Sequence, residues 1–110
     1  MNTITFDEFT KADIKIGTIL SVEKVPDADK LLKLMINLGE EAPRQILSGI
    51  AGYYPDPSIL VGKQVPVLVN LPTRTIRGFE SQGMVLYAAG EDFLITLNPE
   101  KEIPNGTSVQ

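Results

Sequence analysis

The 110-residue sequence predicts an all-β domain with short helices: a closed five-stranded barrel carrying an amino-terminal helix and a carboxyl-terminal extension. Three observations carry this expectation. Apolar and polar residues alternate in several short stretches, which is the period of a strand buried on one face. Clusters of Pro, Gly and Asp punctuate those stretches. A single helical turn is signalled between the third and fourth stretch. The length suits one domain, so residues 1–110 are read as a single unit.

Thr5, with Glu8 three residues later, has the order of a capping box, and Asp7 and Glu8 place negative charge where a helix N-terminus favours it. A short helix is expected over residues 6–11. From Ile14 the period becomes two: Ile14, Ile16, Leu20 and Val22 are expected inward, with Thr18 filling one slot and Gly17 offering a bend. Val25-Pro26-Asp27-Ala28-Asp29 is turn chemistry. Leu32, Leu34, Ile36 and Leu38 then give the clearest half-buried strand. Residues 40–43 read as a hairpin connection and residues 44–50 as a third strand.

Two glycines and two prolines break residues 49–57, and residues 58–62 offer one helical turn with Gly62 as its stop. Val65, Val67, Val69 and Leu71 restore the strand period, although Pro66 lacks a ladder donor and is expected at an edge or bulge. Residues 72–80 read as a polar connection. Residues 81–88 and 92–97 read as a last hairpin, followed by a tail containing Pro99, Pro104 and Gly106. Three strands, a connecting helix and two strands fit the five-stranded OB barrel better than a seven-stranded sandwich.

Composition narrows the chemistry. With 43% hydrophobic and 22% charged residues the chain is expected to fold. It contains no Cys and no His, which removes thiolate chemistry, disulfides and the side chain most used as an acid or base near neutral pH. Asp27 and Asp29 are explained by their turn rather than by a metal, and Ser48-Gly49 lacks the first glycine and the histidine of a nucleophile elbow. No catalytic role, cofactor or metal is expected. The absence of a long apolar run or a signal peptide points to a cytoplasmic protein with no membrane partner. The formal charge is −4, so any affinity for a polyanion must come from uneven distribution of the ten Lys and Arg residues.

Three polar-rich segments stand out. They are Asp29-Lys30-Leu31 with Leu34, Ser48-Gly49-Ile50, and the run from Asn70-Leu71 through Arg74, Ile76 and Gly78 to Ser81-Gln82-Gly83-Met84. In this order and spacing they resemble the tRNA-binding domain found free-standing, at the carboxyl end of methionyl-tRNA synthetases, and in aminoacylation cofactors. The resemblance extends over residues 6–109. It implies an OB fold that holds tRNA by shape with little base preference. It assigns roles to Lys30, Asn70, Arg74, Ser81 and Met84, and it implies a homodimer, for which the amino-terminal helix and residues 99–109 are the candidate interface. One departure is visible: Thr73-Arg74-Thr75 stands where relatives commonly carry Pro-Arg-Lys, so one positive charge is lost and Arg77 is the residue that could replace it.

The candidate RNA-binding set is therefore Lys30, Lys33, Arg44, Asn70, Arg74, Arg77, Ser81 and Met84. All but Arg44 have a plainer alternative. Lys30 and Lys33 could be solvated strand lysines, Arg74 and Arg77 could pair with Glu80, and Asn70 could bind the loop after it. Ser81 could brace a turn, and Met84 could fill the core. Tyr53 and Tyr54 invite base stacking but lie in a connecting segment. Glu40, Glu41, Asp56, Glu91, Asp92, Glu100 and Glu102 fall in turns, connections and the tail, which leaves room for one basic face on an acidic protein. A branch of the same fold acts as an export-related chaperone for extended peptides, and a small oligosaccharide-binding barrel is a third reading. Salt dependence of binding separates the last from the first.

Overall fold

The computed structural model describes every residue from Met1 to Gln110. Helix α1 (Phe6–Thr10) is capped as its sequence requires. The Thr5 hydroxyl accepts from the Glu8 N–H at 3.1 Å, and the Glu8 carboxylate accepts from the Thr5 N–H at 3.0 Å. The helix buries none of its residues.

Strands β1 (Ile14–Lys24), β2 (Leu32–Asn37), β3 (Arg44–Ser48) and β4 (Gln64–Leu68) precede five short ones: β5 (Arg74–Ile76), β6 (Phe79–Ser81), β7 (Met84–Val85), β8 (Tyr87–Ala89) and β9 (Leu94–Thr96). An antiparallel sheet of order β3-β2-β1-β4-β7 curls into a nearly closed barrel, and β5-β6 and β8-β9 form separate hairpins. β1 serves two partners. Its first half pairs with β4 and its second half with β2, with Thr18 shared. Leu32, Leu34, Ile36, Ile46, Leu60, Val65 and Val67 are all fully buried in the interior.

Gly17 packs tightly within β1, and a side chain there would collide with its neighbours. A Cβ on Gly17 would lie 2.6 Å from Ile36 Cγ2 and 2.9 Å from the Asn37 carbonyl oxygen. The phase of β1 differs from the expected one. Ile19 rather than Leu20 packs in the core, and Leu20 is exposed. Past the register shift between Ile19 and Ser21, Val22 packs against the core as expected, since a bulge changes which residues face inward beyond it.

Pro66 sits inside the sheet, opposite Ile16. Its carbonyl accepts from the Leu86 N–H, so its missing donor faces the β7 side, just where that two-residue ladder ends. The single turn expected over residues 58–62 is a 3-10 turn, Pro57–Leu60, preceded by another, Ala51–Tyr53. The third strand stops at Ser48, two residues early. Residues 81–88 form parts of three strands rather than one, and residues 72–80 are not a plain polar connection but most of the β5-β6 hairpin.

Side chains largely close the seam between β3 and the segment joining β6 to β7. One backbone bond runs from the Gln82 N–H to the Gln45 carbonyl. The Gln45 N–H donates to Gln82 Oε1, Gln45 Nε2 to the Glu80 carbonyl, and the Leu47 N–H to Ser81 Oγ. The tail docks along the first half of β1, with the Ile16 N–H donating to the Thr107 carbonyl and the Val109 N–H to the Ile14 carbonyl.

Candidate nucleic-acid interface

β2 explains where the candidate interface lies. Leu32, Leu34 and Ile36 point inward, so Lys33 points outward, beside Glu23 on β1 and Leu47 on β3. Yet Leu47 is buried, as is its inward-facing neighbour Ile46. Two adjacent buried residues in a strand require cover on both faces. The β5-β6 hairpin supplies the outer cover: Ile76 and Phe79 pack with Leu31 against a second cluster of Val25, Ala28 and Leu47. The same cluster anchors the β1-β2 loop, where Asp27 adopts φ +59° and the Ala28 and Leu31 N–H groups close successive turns.

The hairpin turns through Arg77 (φ +52°) and Gly78 (φ +84°). Positive φ at both central residues is the geometry of a two-residue turn whose twist matches its strands. Arg77 therefore projects from a tip that leans on the base of the Lys30 loop. Arg74 lies further along the same hairpin, opposite Ser81. Lys30 is exposed, and its carbonyl holds the Ala51 N–H at 3.1 Å. The structure contains two ion pairs, Lys33–Glu23 and Arg44–Glu40, so Lys30, Arg74 and Arg77 carry no carboxylate partner, Glu80 included.

The other candidates have partners within the protein. Lys33 Nζ lies 3.1 Å from Glu23 Oε2 and 5.2 Å from the centroid of the Phe79 ring. Arg44 is engaged along its whole guanidinium: Nε and Nη2 donate to the two Glu40 carboxylate oxygens at 2.9 Å each, and Nη1 donates to the carbonyls of Val69 and Gln82 at 2.7 and 3.1 Å. Asn70 Nδ2 donates to the Lys11 carbonyl at 2.6 Å, and its Oδ1 accepts from the Asp13 N–H at 2.9 Å, tying α1 to the barrel. Ser81 is buried and occupied by Leu47 and Gly83. Met84 is 44% exposed, at the end of the short β7 ladder.

Ser48 accepts the Tyr87 hydroxyl at 2.9 Å. Burial pushes that phenol up to about 12, and the Ser48 bond offsets part of the rise. Tyr54 is buried, which removes it from stacking, whereas Tyr53 is exposed. Sequence reasoning missed Phe79 and the seam glutamines. The signal for the first was present: Ile76-Arg77-Gly78-Phe79 has apolar residues flanking a two-residue turn, the short-range mark of a hairpin.

The Arg44 guanidinium holds the Glu40 carboxyl below its ordinary value, chiefly by hydrogen bonding and less by charge; partial burial opposes this, and Lys15 adds a smaller lowering. A depressed carboxyl stabilises the fold above its unfolded pKa, and that contribution fades as pH falls through the lower folded value. Replacing Arg44 with Met is expected to cost about 1–2 kcal/mol at neutral pH through the two orphaned carbonyls and the lost pair. Urea midpoints measured from pH 7 down through 4.5 should show a flatter acid-side decline in the variant.

A nearly closed OB-like barrel with unpaired cations on one loop and one hairpin defines the class: a small OB-type domain. The chain belongs to the tRNA binding domain family, whose model matches residues 14–108. It is 50% identical to a methionine–tRNA ligase of Methanococcoides burtonii over 96% of its own length, but spans only 16% of that ligase. A crystal structure of a MetRS related protein from Pyrococcus horikoshii superposes with TM-score 0.92 at 37% identity, covering 100% of both chains. The chaperone CsaA from Bacillus anthracis superposes with TM-score 0.88 at 32% identity, covering 99% of this chain and 100% of the other. No helix is long and apolar enough to cross a membrane.

Proposed function

We propose that the chain is a non-catalytic, cytoplasmic tRNA-binding module that reads shape and phosphate backbone, acting as the carboxyl-terminal or free-standing accessory domain of a methionyl-tRNA synthetase. The observation that carries this reading is the set of three cations without acid partners, Lys30, Arg74 and Arg77, on the two segments anchored in the Val25–Ala28–Leu47 cluster. OB barrels take up nucleic acid on the face of their second and third strands and on the loops after strands one and four. Lys30 lies on the first of those loops, and Arg74 and Arg77 on the second. Met84, 44% exposed on β7, offers an apolar contact. Arg44, Asn70 and Ser81 shape this surface from within, since their polar groups are already bonded.

The protein acts as a homodimer through α1 and the tail. Phe6 is 77% exposed, and Phe6, Phe9, Ile14 and Val109 line one groove where helix and tail meet. Two barrels then present a composite surface to one tRNA, and tethering to a synthetase raises the local concentration of its substrate.

Binding of tRNA should weaken with salt, by a slope of about 0.7–0.9 per phosphate contact in a log–log plot. Lys30→Ala and Arg74→Ala are each expected to lower affinity on the order of fivefold and to reduce that slope by about one. Gel-shift titrations at two salt concentrations read both quantities. Unchanged affinity in both variants would defeat the proposed site. The likeness to CsaA supports a second reading, capture of extended peptides, and displacement of bound tRNA by an unfolded polypeptide would favour it.

A further inference from the structure

We propose that Lys33 is a positioning residue that latches the β5-β6 hairpin to the outside of the barrel, rather than a contact to phosphate. This deepens the tRNA-binding reading and rests on it. Strands of three residues joined by a two-residue turn do not hold themselves in water, because an isolated two-stranded hairpin is marginal at best. Its placement must come from what it rests upon. Ile76 and Phe79 provide an apolar footing over Leu47. Lys33 provides the directional part: its ammonium is held at 3.1 Å by Glu23, and from there it faces the Phe79 ring at 5.2 Å. The side chain retains 23% of its exposure, with its stem against the sheet and its charged end between an acid and a ring.

Glu23, Lys33 and Leu47 are cross-strand neighbours on one outer face of three consecutive strands, so the acid orients the lysine and the lysine orients the ring. Phe79 precedes the β6 residues that close the seam and follows the Arg77-Gly78 turn. Fixing the ring therefore fixes how far Arg77 and Arg74 stand from Lys30. A positive charge spent in this way adds to affinity through geometry and leaves the count of phosphate contacts unchanged.

The test compares Lys33→Met, which keeps an apolar stem and removes the charge, with Phe79→Leu, which keeps the footing and removes the ring. Backbone ¹⁵N order parameters of residues 75–79 report the latch directly, rigid backbone lying near 0.85 and flexible backbone below about 0.6. Both variants are expected to drop towards the flexible range at Arg77 and Gly78. Both should bind tRNA about three- to fivefold more weakly with the salt slope of the parent, and the double variant should be no weaker than either. Two results would overturn the proposal: unchanged order parameters in Lys33→Met, or a salt slope reduced by about one in Lys33→Met but not in Phe79→Leu. If the parent itself binds no tRNA, the functional reading falls, while the order parameters still decide whether Lys33 holds the hairpin.

Discussion

On the proposed dimer, the parent is expected to run at the mass of two protomers in light scattering and a chain carrying Phe6→Glu and Phe9→Glu at the mass of one. Symmetry doubles every change at an isologous contact, so two substitutions remove four rings and bring four like charges together. Burying one such ring is worth about 1.5–3 kcal/mol, and the combined loss should weaken association by at least a thousandfold. Folding should be untouched, because α1 contributes no buried residue. Thermal midpoints at high dilution should therefore agree for the two proteins. Affinity for tRNA should fall by one to two orders of magnitude as the composite surface is lost. A parent that is monomeric at micromolar concentration would end the dimer proposal.

The second large effect is expected at Gly17. Its hypothetical Cβ meets Ile36 Cγ2 at 2.6 Å, Leu38 Cδ2 at 2.8 Å and the Asn37 carbonyl oxygen at 2.9 Å. Two of these atoms belong to side chains of the packed interior, and the third is backbone of the paired strand, so the neighbours cannot simply swing away. Gly17→Ala should cost about 2–3 kcal/mol by overpacking and lower Tm on the order of 10 °C. Gly52→Ala is the matched control, because nothing lies within 4 Å of its added carbon. Calorimetry showing equal midpoints for the two variants would mean that β1 is not closely packed at Gly17.

The legible parts of the fold were those governed by local rules. The Thr5–Glu8 box, the alternation of β2, the turn at Asp27 and the stop at Gly62 each depend on residues within a few positions of one another. The phase of β1 was not local. The strand changes partner at Thr18 and shifts register between Ile19 and Ser21, so a single period carried from Ile14 to Val22 could not place both Ile19 and Leu20 correctly. Ile46-Leu47 held a clue of the same kind: two apolar neighbours in a short strand imply cover on the outer face, and the hairpin provides it.

The site divides likewise. Lys30 and Arg74 are exposed, Lys30 on the β1-β2 loop and Arg74 on a hairpin where a polar connection was expected. The engagement of Arg44 was not legible, since its carbonyl partners Val69 and Gln82 lie 25 and 38 residues away. Ser81 could be recognised as a brace only once Leu47 was known to sit against it.

The turn at Arg77 sets two demands against each other. A left-handed conformation suits Asn or Asp followed by Gly, and a long branched guanidinium gains nothing locally from adopting it. The backbone thus carries a small standing strain at an exposed hairpin tip. Sequence drift that relaxed the loop by placing a more compliant residue there would remove a positive charge from the hairpin tip, so on the proposed reading durability and polyanion affinity cannot both be maximised at this one position.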